Sequence, residues 1–400
     1  MQLNQGDSSL SANKLSFEDT AIAFRQASNT DLQRAYWLFR AINNNLLVKL
    51  GLPLLNTAVK IGLPVKGIIK ATIFKHFCGG ETIEECNATI KKLAQGGVGT
   101  ILDYSVEGED EEAIFDATRD EIIRTIARAK DDAAIPLTVF KVTGVARFGL
   151  LEKLDARQTL TAVEEQEWEM AQNRVKMICD NALAAGTPVM IDAEETWIQN
   201  TVDSLALEMM RLYNRERAIV YNTYQLYRHD KLNALQHDYA VAGNEGFILG
   251  AKLVRGAYME KERKRAQEQN YPSPIQPDKA STDRDYNAAL HFCVAHKDDM
   301  AVVAGTHNEE SCRLLAILIN EQHIPRDNPH IYFAQLLGMS DNLSFNLANA
   351  GYNVAKYVPY GPVKAVLPYL FRRAQENTAI SGQMSRELSL IIKERKRRKV

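Results

Sequence analysis

The chain has few cysteines, and those it has are poorly placed for covalent staples. Cys78, Cys86, Cys179, Cys293 and Cys312 are scattered through 400 residues. An odd number with no C-x-x-C pair argues against both a disulfide framework and a zinc ribbon, and points to a reducing compartment. Nucleotide fingerprints are missing as well. Neither G-x-G-x-x-G nor G-x-x-x-x-G-K-[ST] stands at a strand-to-helix turn, and GGVGT at Gly96 lacks the spacing, which weighs against nicotinamide and nucleotide-triphosphatase chemistry. There is no G-x-S-x-G nucleophile elbow. No uncharged apolar run reaches the ~18–20 residues that span a bilayer. The opening stretch MQLNQGDSSLSANKLSFEDT carries Glu18 and Asp19, with neither the apolar core of a secretory signal nor the Arg-rich pattern of a presequence. It reads as the start of a cytoplasmic chain. Charge of one sign is not in excess either, since a net charge of -2 gives no general attraction for nucleic acid.

What is present describes a globular chain, 46% hydrophobic and 24% charged, long enough for one large barrel or two or three ordinary domains. From about residue 97, short β-branched runs alternate with longer amphipathic ones. The short runs are GVGTILDYS, PLTVFKVTG, PVMIDAEE, AIVYNTYQ, ILGAKLVRGAY, MAVVAGTHN, HIYFAQLLG and NVAKYVPYG. Eight parallel β/α units in one uninterrupted region predict an α/β fold, a TIM-like (β/α)8 barrel over 96–400, with helices crossing over in stretches such as Gln166 to Ala185 and Thr282 to His296. The polar, proline-rich stretch Gln269 to Ser281 predicts an excursion loop. Residues 1–95 read as an N-terminal helical arm. Within it, Leu46 to His76 sets Lys49, Lys60, Lys66, Lys70 and Lys75 among apolar residues with no acid. That segment suits core helices broken at Pro53 and Pro64, or a surface that touches anionic lipid. The basic tail KERKRRKV reads as a solvated terminus.

In such a barrel the C-terminal strand ends line the active site. Here they are rich in charge: Glu107, Lys141, Asp192 with Glu194, Asn222 with Gln225, Lys252 with Arg255 and Tyr258, Thr306 with His307 and Asn308, Gln335, and Lys356 with Tyr357. Asp192 and Glu194, two apart on a strand, are expected to share a face, to bind a metal, act as an acid/base pair or neutralise cations; alternatively one caps the next helix. Lys252 and Arg255, two cations at one strand end, ask for an anion, and Gly256 beside them would let a ligand approach the backbone. Asn308 suits a helix N-cap, so His307 is either a ligand contact or a hydrogen-bonded loop residue. His291 and His296, flanking Cys293 on one expected helix, have no second cluster to complete a metal site.

After the eighth run, LPYLFRRAQEN places Tyr369, Arg372, Arg373 and Glu376 at i, i+3, i+4 and i+7, on one helical face. Leu367, Leu370, Phe371 and Ala374 supply an apolar backing. Glu376 can receive one guanidinium. The other suits the two oxygens of an acidic ligand, with charged hydrogen bonds worth roughly 1.5–3 kcal/mol each.

IDAEETW, NTYQLY, GAKLVRGAYMEKER, THNEES, FAQLLGM, KYVPYGPV and LPYLFRRAQEN, in this order, resemble the proline dehydrogenase family from about Gly97 to Gln383. The resemblance implies a distorted barrel that binds FAD, oxidises L-proline to 1-pyrroline-5-carboxylate and passes electrons to a membrane quinone, with peripheral attachment to the membrane's inner face. It implies that Arg372 and Arg373 grip the proline carboxylate, that Lys141 and Asp192 support the pocket, that Leu336, Tyr357 and Tyr369 wall the ring, and that Tyr258 lies nearby. Flavin contacts fall to Asn222, Lys252, Arg255, Gly256, Thr306, His307 and Glu376, and Glu107 matches an acidic gate. Many bifunctional relatives carry Arg at the position of Lys252 and Gln at that of Asn222, and this chain lacks their aldehyde dehydrogenase half. The hydroxyproline-preferring branch has Ser at the position of Tyr357, where a phenol would crowd a ring hydroxyl, so proline is favoured. Two rival readings fit the same residues: an aldolase-like barrel using Lys141, Lys252 or Lys356 as a Schiff-base nucleophile, and a non-catalytic membrane-surface scaffold.

Overall fold

The computed structural model describes residues 15–44, 51, 54, 65–105, 111–379 and 381–400, and of 374–379 and 381–385 it describes the backbone only. The eight β-branched runs form eight strands: β1 Gly99–Tyr104, β2 Thr138–Lys141, β3 Val189–Asp192, β4 Val220–Gln225, β5 Leu249–Val254, β6 Met300–Gly305, β7 Ile331–Leu336 and β8 Val354–Tyr360. They follow one another in chain order around a closed barrel, and β1 pairs in parallel with β8. Strands covered on both faces leave no side for water, so any polar residue in them must find its partner inside the protein. β4 and β8 are buried along their whole length.

Local signals set the crossover helices. Thr161 accepts from the backbone N–H of Glu164, whose carboxylate answers the Thr161 N–H, and this capping box starts Ala162–Ala185; Gly186, at φ +67°, ends it. Asp278 caps Lys279–Ala295 through the Ser281 N–H. The excursion loop therefore closes three residues earlier than composition suggests, and Ile275 within it makes an antiparallel bridge to Arg228.

The chain divides into two compact units, Glu107–Ala334 and Leu15–Val106 with Gln335–Val400. In the second, helices from both ends of the sequence share one core of Ala23, Leu32, Phe39, Ile69, Phe74, Phe77, Val366, Leu370, Leu390 and Ile391. The described part of the basic segment, Lys66–Ile69 continuing through Lys70–Phe74 to Lys75–Phe77, buries Ile69, Phe74 and Phe77 and leaves Ile68 exposed. Pro53 and Pro64 lie outside the described residues.

The C-terminal tail departs from expectation. It belongs to a helix, Ser381–Arg398, and although Lys393, Lys396, Arg397 and Lys399 are exposed, part of its charge is docked. Glu394 is fully buried and receives Arg397 (2.8 Å) and Arg398 (2.7 Å), while Arg398 also donates to the carbonyls of Phe24 (2.6 Å) and Ala27 (2.7 Å). Charge density alone hid this, because the partners sit more than 370 positions away. The five cysteines are free and buried, and burial pushes the Cys312 thiol up to about 12.

Candidate active site

The residues singled out from the sequence divide between the two units. In Glu107–Ala334, Lys141 and Asp192 end adjacent strands in register. The ammonium of Lys252, itself buried, meets Asp192 Oδ1 at 2.5 Å across 60 residues. Arg255, just beyond β5, is held on three sides: Nε donates to Asp283 (2.8 Å), and the two terminal nitrogens donate to the hydroxyls of Thr306 (2.7 Å) and Ser311 (2.9 Å). Its guanidinium lies 4.3 Å from the centroid of the Tyr286 ring. The two cations thus carry carboxylates of their own, and repulsion between them does not require an external anion. Such pre-paired cations cost little to hold in place and present fixed positive charge to a ligand.

Asp192 and Glu194 do not act as a pair. β3 stops at Asp192, and Glu194 turns to Thr143, accepting from its N–H (3.2 Å) and its hydroxyl (2.5 Å). Neither caps the next helix, Thr196–Tyr213. Its first N–H donates to Glu262 (2.7 Å), which comes from 66 residues downstream and is invisible to local reading. Among the described residues no group of three or more His, Cys, Asp or Glu is arranged to hold a metal. Asn308 is the cap of Glu309–Glu321, accepting from the Ser311 N–H at 2.9 Å, and its own N–H donates to Thr306 Oγ1. That fixes the turn on which His307 stands.

Strand alternation separates the two amides of β4. Thr223 is in register with Lys252, so Thr223 and Gln225 share the face of that lysine, whereas Asn222 lies on the opposite face. There its side chain donates to Asp203 on Thr196–Tyr213 (3.0 Å) and accepts from the Thr223 N–H (2.8 Å). Gln225 gives its amide N–H to the Glu194 carbonyl (3.1 Å), and its Oε1 is buried with no donor. Gly256, at φ +130°, has a steric requirement of its own: a Cβ there would stand 2.5 Å from the Tyr227 ring. Tyr258 begins the helix Met259–Glu268. Glu107 lies outside the described residues.

In the other unit, Leu336 ends β7, and Tyr357, on β8, is buried. The helix Val363–Ala379 carries Tyr369, Arg372 and Arg373; Leu367 and Leu370 of the expected apolar face are sunk in the shared core with Val363 and Val366, and Tyr369, expected on the polar stripe, is buried in that core too. Leu336 and Phe371 pack against the same core. Arg373 is stacked 5.4 Å from the centroid of the Tyr369 ring, and both arginines are half-buried. The backbone of Glu376 continues the helix; its side chain lies outside the described ones.

A family model of proline dehydrogenase matches residues 86–386. The chain belongs to the proline dehydrogenase family. "Proline dehydrogenase 1, mitochondrial" of Dictyostelium discoideum is 33% identical over 434 residues, covering 96% of this chain and 75% of that protein. "Carbapenem antibiotics biosynthesis protein CarD" of Pectobacterium carotovorum subsp. carotovorum is 36% identical over 335 residues, covering 84% and 87%. Among solved structures, proline utilization A from Bdellovibrio bacteriovorus, inactivated by N-propargylglycine, superposes with a TM-score of 0.78 at 16% identity. That match covers 96% of this chain and 44% of the larger protein, and it establishes the fold.

The family is FAD-dependent, and the residues present fit a flavin. Lys252 and Arg255 are cations locked by their own partners, and the orphaned Gln225 Oε1 is an acceptor suited to a ring N–H. On the β4 strand, Gln225 Oε1 has no donor, whereas Asn222 is engaged by Asp203 and the Thr223 N–H.

Proposed function

We propose that this protein oxidises L-proline to 1-pyrroline-5-carboxylate, with FAD as the immediate acceptor and a membrane quinone as the next. The family match over residues 86–386 carries this reading. FAD, when bound, supplies a two-electron acceptor for the hydride that leaves the ring carbon next to nitrogen, on the side away from the carboxylate. The chain's own residues position and exclude. Arg372 and Arg373 bind the carboxylate, with planar forks that match its two oxygens. Leu336, Tyr357 and Tyr369 wall the ring and keep water out, Tyr258 adds to the wall, and Lys141 and Asp192 support the pocket. Asn222, Lys252, Arg255, Gly256, Thr306, His307 and Glu376 hold the flavin, with Gln225 as a further β4 contact, and Glu107 closes the site. With this goes the organisation read from the sequence, a helical region over 1–95 accessory to a catalytic barrel over 96–400.

A Schiff-base lysine must lose its proton before it can attack. Lys252 is ion-paired with Asp192 and Lys356 with Asp341, so each nitrogen already has a carboxylate partner. Neither is placed as a free nucleophile. Tyr357 keeps its phenol where a hydroxyl on the ring would need space, which supports proline over hydroxyproline as substrate.

For electron transfer we place the protein in the cytoplasm, on the inner face of a membrane, through the lysine-rich segment 46–76. No helix among the described residues is long and apolar enough to cross a bilayer, and exposed Ile68 between Lys66 and Lys70 suits surface contact. An acceptor assay run side by side tests the quinone step. Quinone analogues should support turnover at least about tenfold faster than oxygen or nicotinamide under matched proline; equal rates with oxygen would remove the quinone from the scheme.

A further inference from the structure

The lysine of β8 has no part in the reading above, yet it is among the most buried charged side chains of the molecule. Lys356 has no exposed side-chain surface. An ammonium so placed is costly unless every proton is received. Its nitrogen meets Asp341 Oδ1 at 2.8 Å and donates to the carbonyls of Leu336 (3.2 Å) and Met339 (2.6 Å). Two of these three partners are main-chain atoms of one short loop, 336–341, and the third is the residue that ends it.

The same loop is gripped from other elements. His76 Nε2 lies 2.9 Å from the Gly338 carbonyl, the Leu337 N–H donates to the Tyr357 carbonyl (2.9 Å), and the Ser340 N–H donates to buried Glu387. The backbone needs this help, since Gly338 sits at φ +76° and Ser340 at φ +50°, a left-handed conformation that a residue with a side chain rarely adopts. Gly338 has no room for a substituent, because a Cβ would come 2.6 Å from the His76 carbonyl. Lys356 and Tyr357 are successive residues of a strand and so point to opposite faces. The lysine acts from behind the face that presents Tyr357.

We propose that Lys356 is a positioning residue for proline binding: its ammonium, with Asp341, fixes loop 336–341 and thereby the wall that Leu336 and Tyr357 present to the ring. The proposal rests on the assignment of those two residues to the proline pocket. Its test uses two full-length, flavin-loaded variants, Lys356→Met and Asp341→Asn. Steady-state kinetics with proline is run alongside hydrogen exchange of the peptide that contains the loop.

The proline KM should rise about tenfold in Lys356→Met and less in Asp341→Asn, kcat should stay within about threefold, and flavin per protein should not change. Exchange of the loop amides should quicken by at least about tenfold while the other strands keep their protection. Asp341 is partly exposed, so its variant decides the matter if Lys356→Met does not fold. An unchanged KM with an unchanged loop overturns the proposal, as does a loss confined to kcat or to flavin content. Wild-type protein that fails to oxidise proline would instead refute the functional reading, while the exchange arm would still report on the loop.

Discussion

At the scale of single residues, charge was legible and partnership was not. LPYLFRRAQEN announced its two guanidiniums through helical spacing, and the structure sets that helix in a core through Leu367, Leu370 and also Tyr369 of the stripe itself. Lys252 and Arg255 were equally visible, but their counter-ions Asp192 and Asp283 come from other strands and helices, which no local pattern reports. If Arg373 grips a carboxylate with its planar fork, Arg373→Lys forfeits part of a charged bond of roughly 1.5–3 kcal/mol. The proline KM should then rise about 10-fold or more with flavin content intact, as kinetics and flavin absorbance per protein will show; equal losses of both would mark a structural role.

Glu387 offers a second test. Burial, reinforced by the Asp341 charge, raises its carboxyl from 4.5 to about 7. In the folded state it keeps a proton that the unfolded chain has released, so folding takes up a proton between about 4.5 and 7 and stability falls as pH rises through that window. At about 1.4 kcal/mol per pH unit this is worth roughly 3 kcal/mol. Urea denaturation of Glu387→Gln at intervals from about pH 5 to 8 should lack this decline, which the unaltered protein should show.

At the scale of elements, alternation of β-branched and amphipathic runs located all eight strands. Capping residues set several helix starts, among them Thr161, Asp278 and Asn308. The sequence misled where an element is defined by distant contacts. Thr196–Tyr213 is capped by Glu262, and the basic tail, though exposed at Lys393, Lys396, Arg397 and Lys399, belongs to a helix whose Glu394 is buried. Glu394→Ala should cost roughly 2–4 kcal/mol, since it takes the buried carboxylate from both Arg397 and Arg398, whereas Arg397→Ala, at a half-exposed position, should cost under about 1 kcal/mol. Denaturant midpoints of the two variants check the contrast; similar values would mean that the tail helix is held by its apolar residues alone.

At the scale of the whole molecule, a closed barrel and long family motifs agree on what the chain is built to do. The barrel was legible because eight parallel units must bury strands on both faces. The division into two compact units was not, since the second unit joins residues near both ends of the chain. The central claim is that a proline held by Arg372 and Arg373 delivers hydride to a flavin carried by the same chain. The visible spectrum of the purified protein, recorded before and after anaerobic addition of L-proline, tests it most directly. The expected result is a yellow protein whose flavin absorbance bleaches with proline and returns with a quinone analogue; a colourless protein, or a flavin spectrum that proline leaves unchanged, would contradict it.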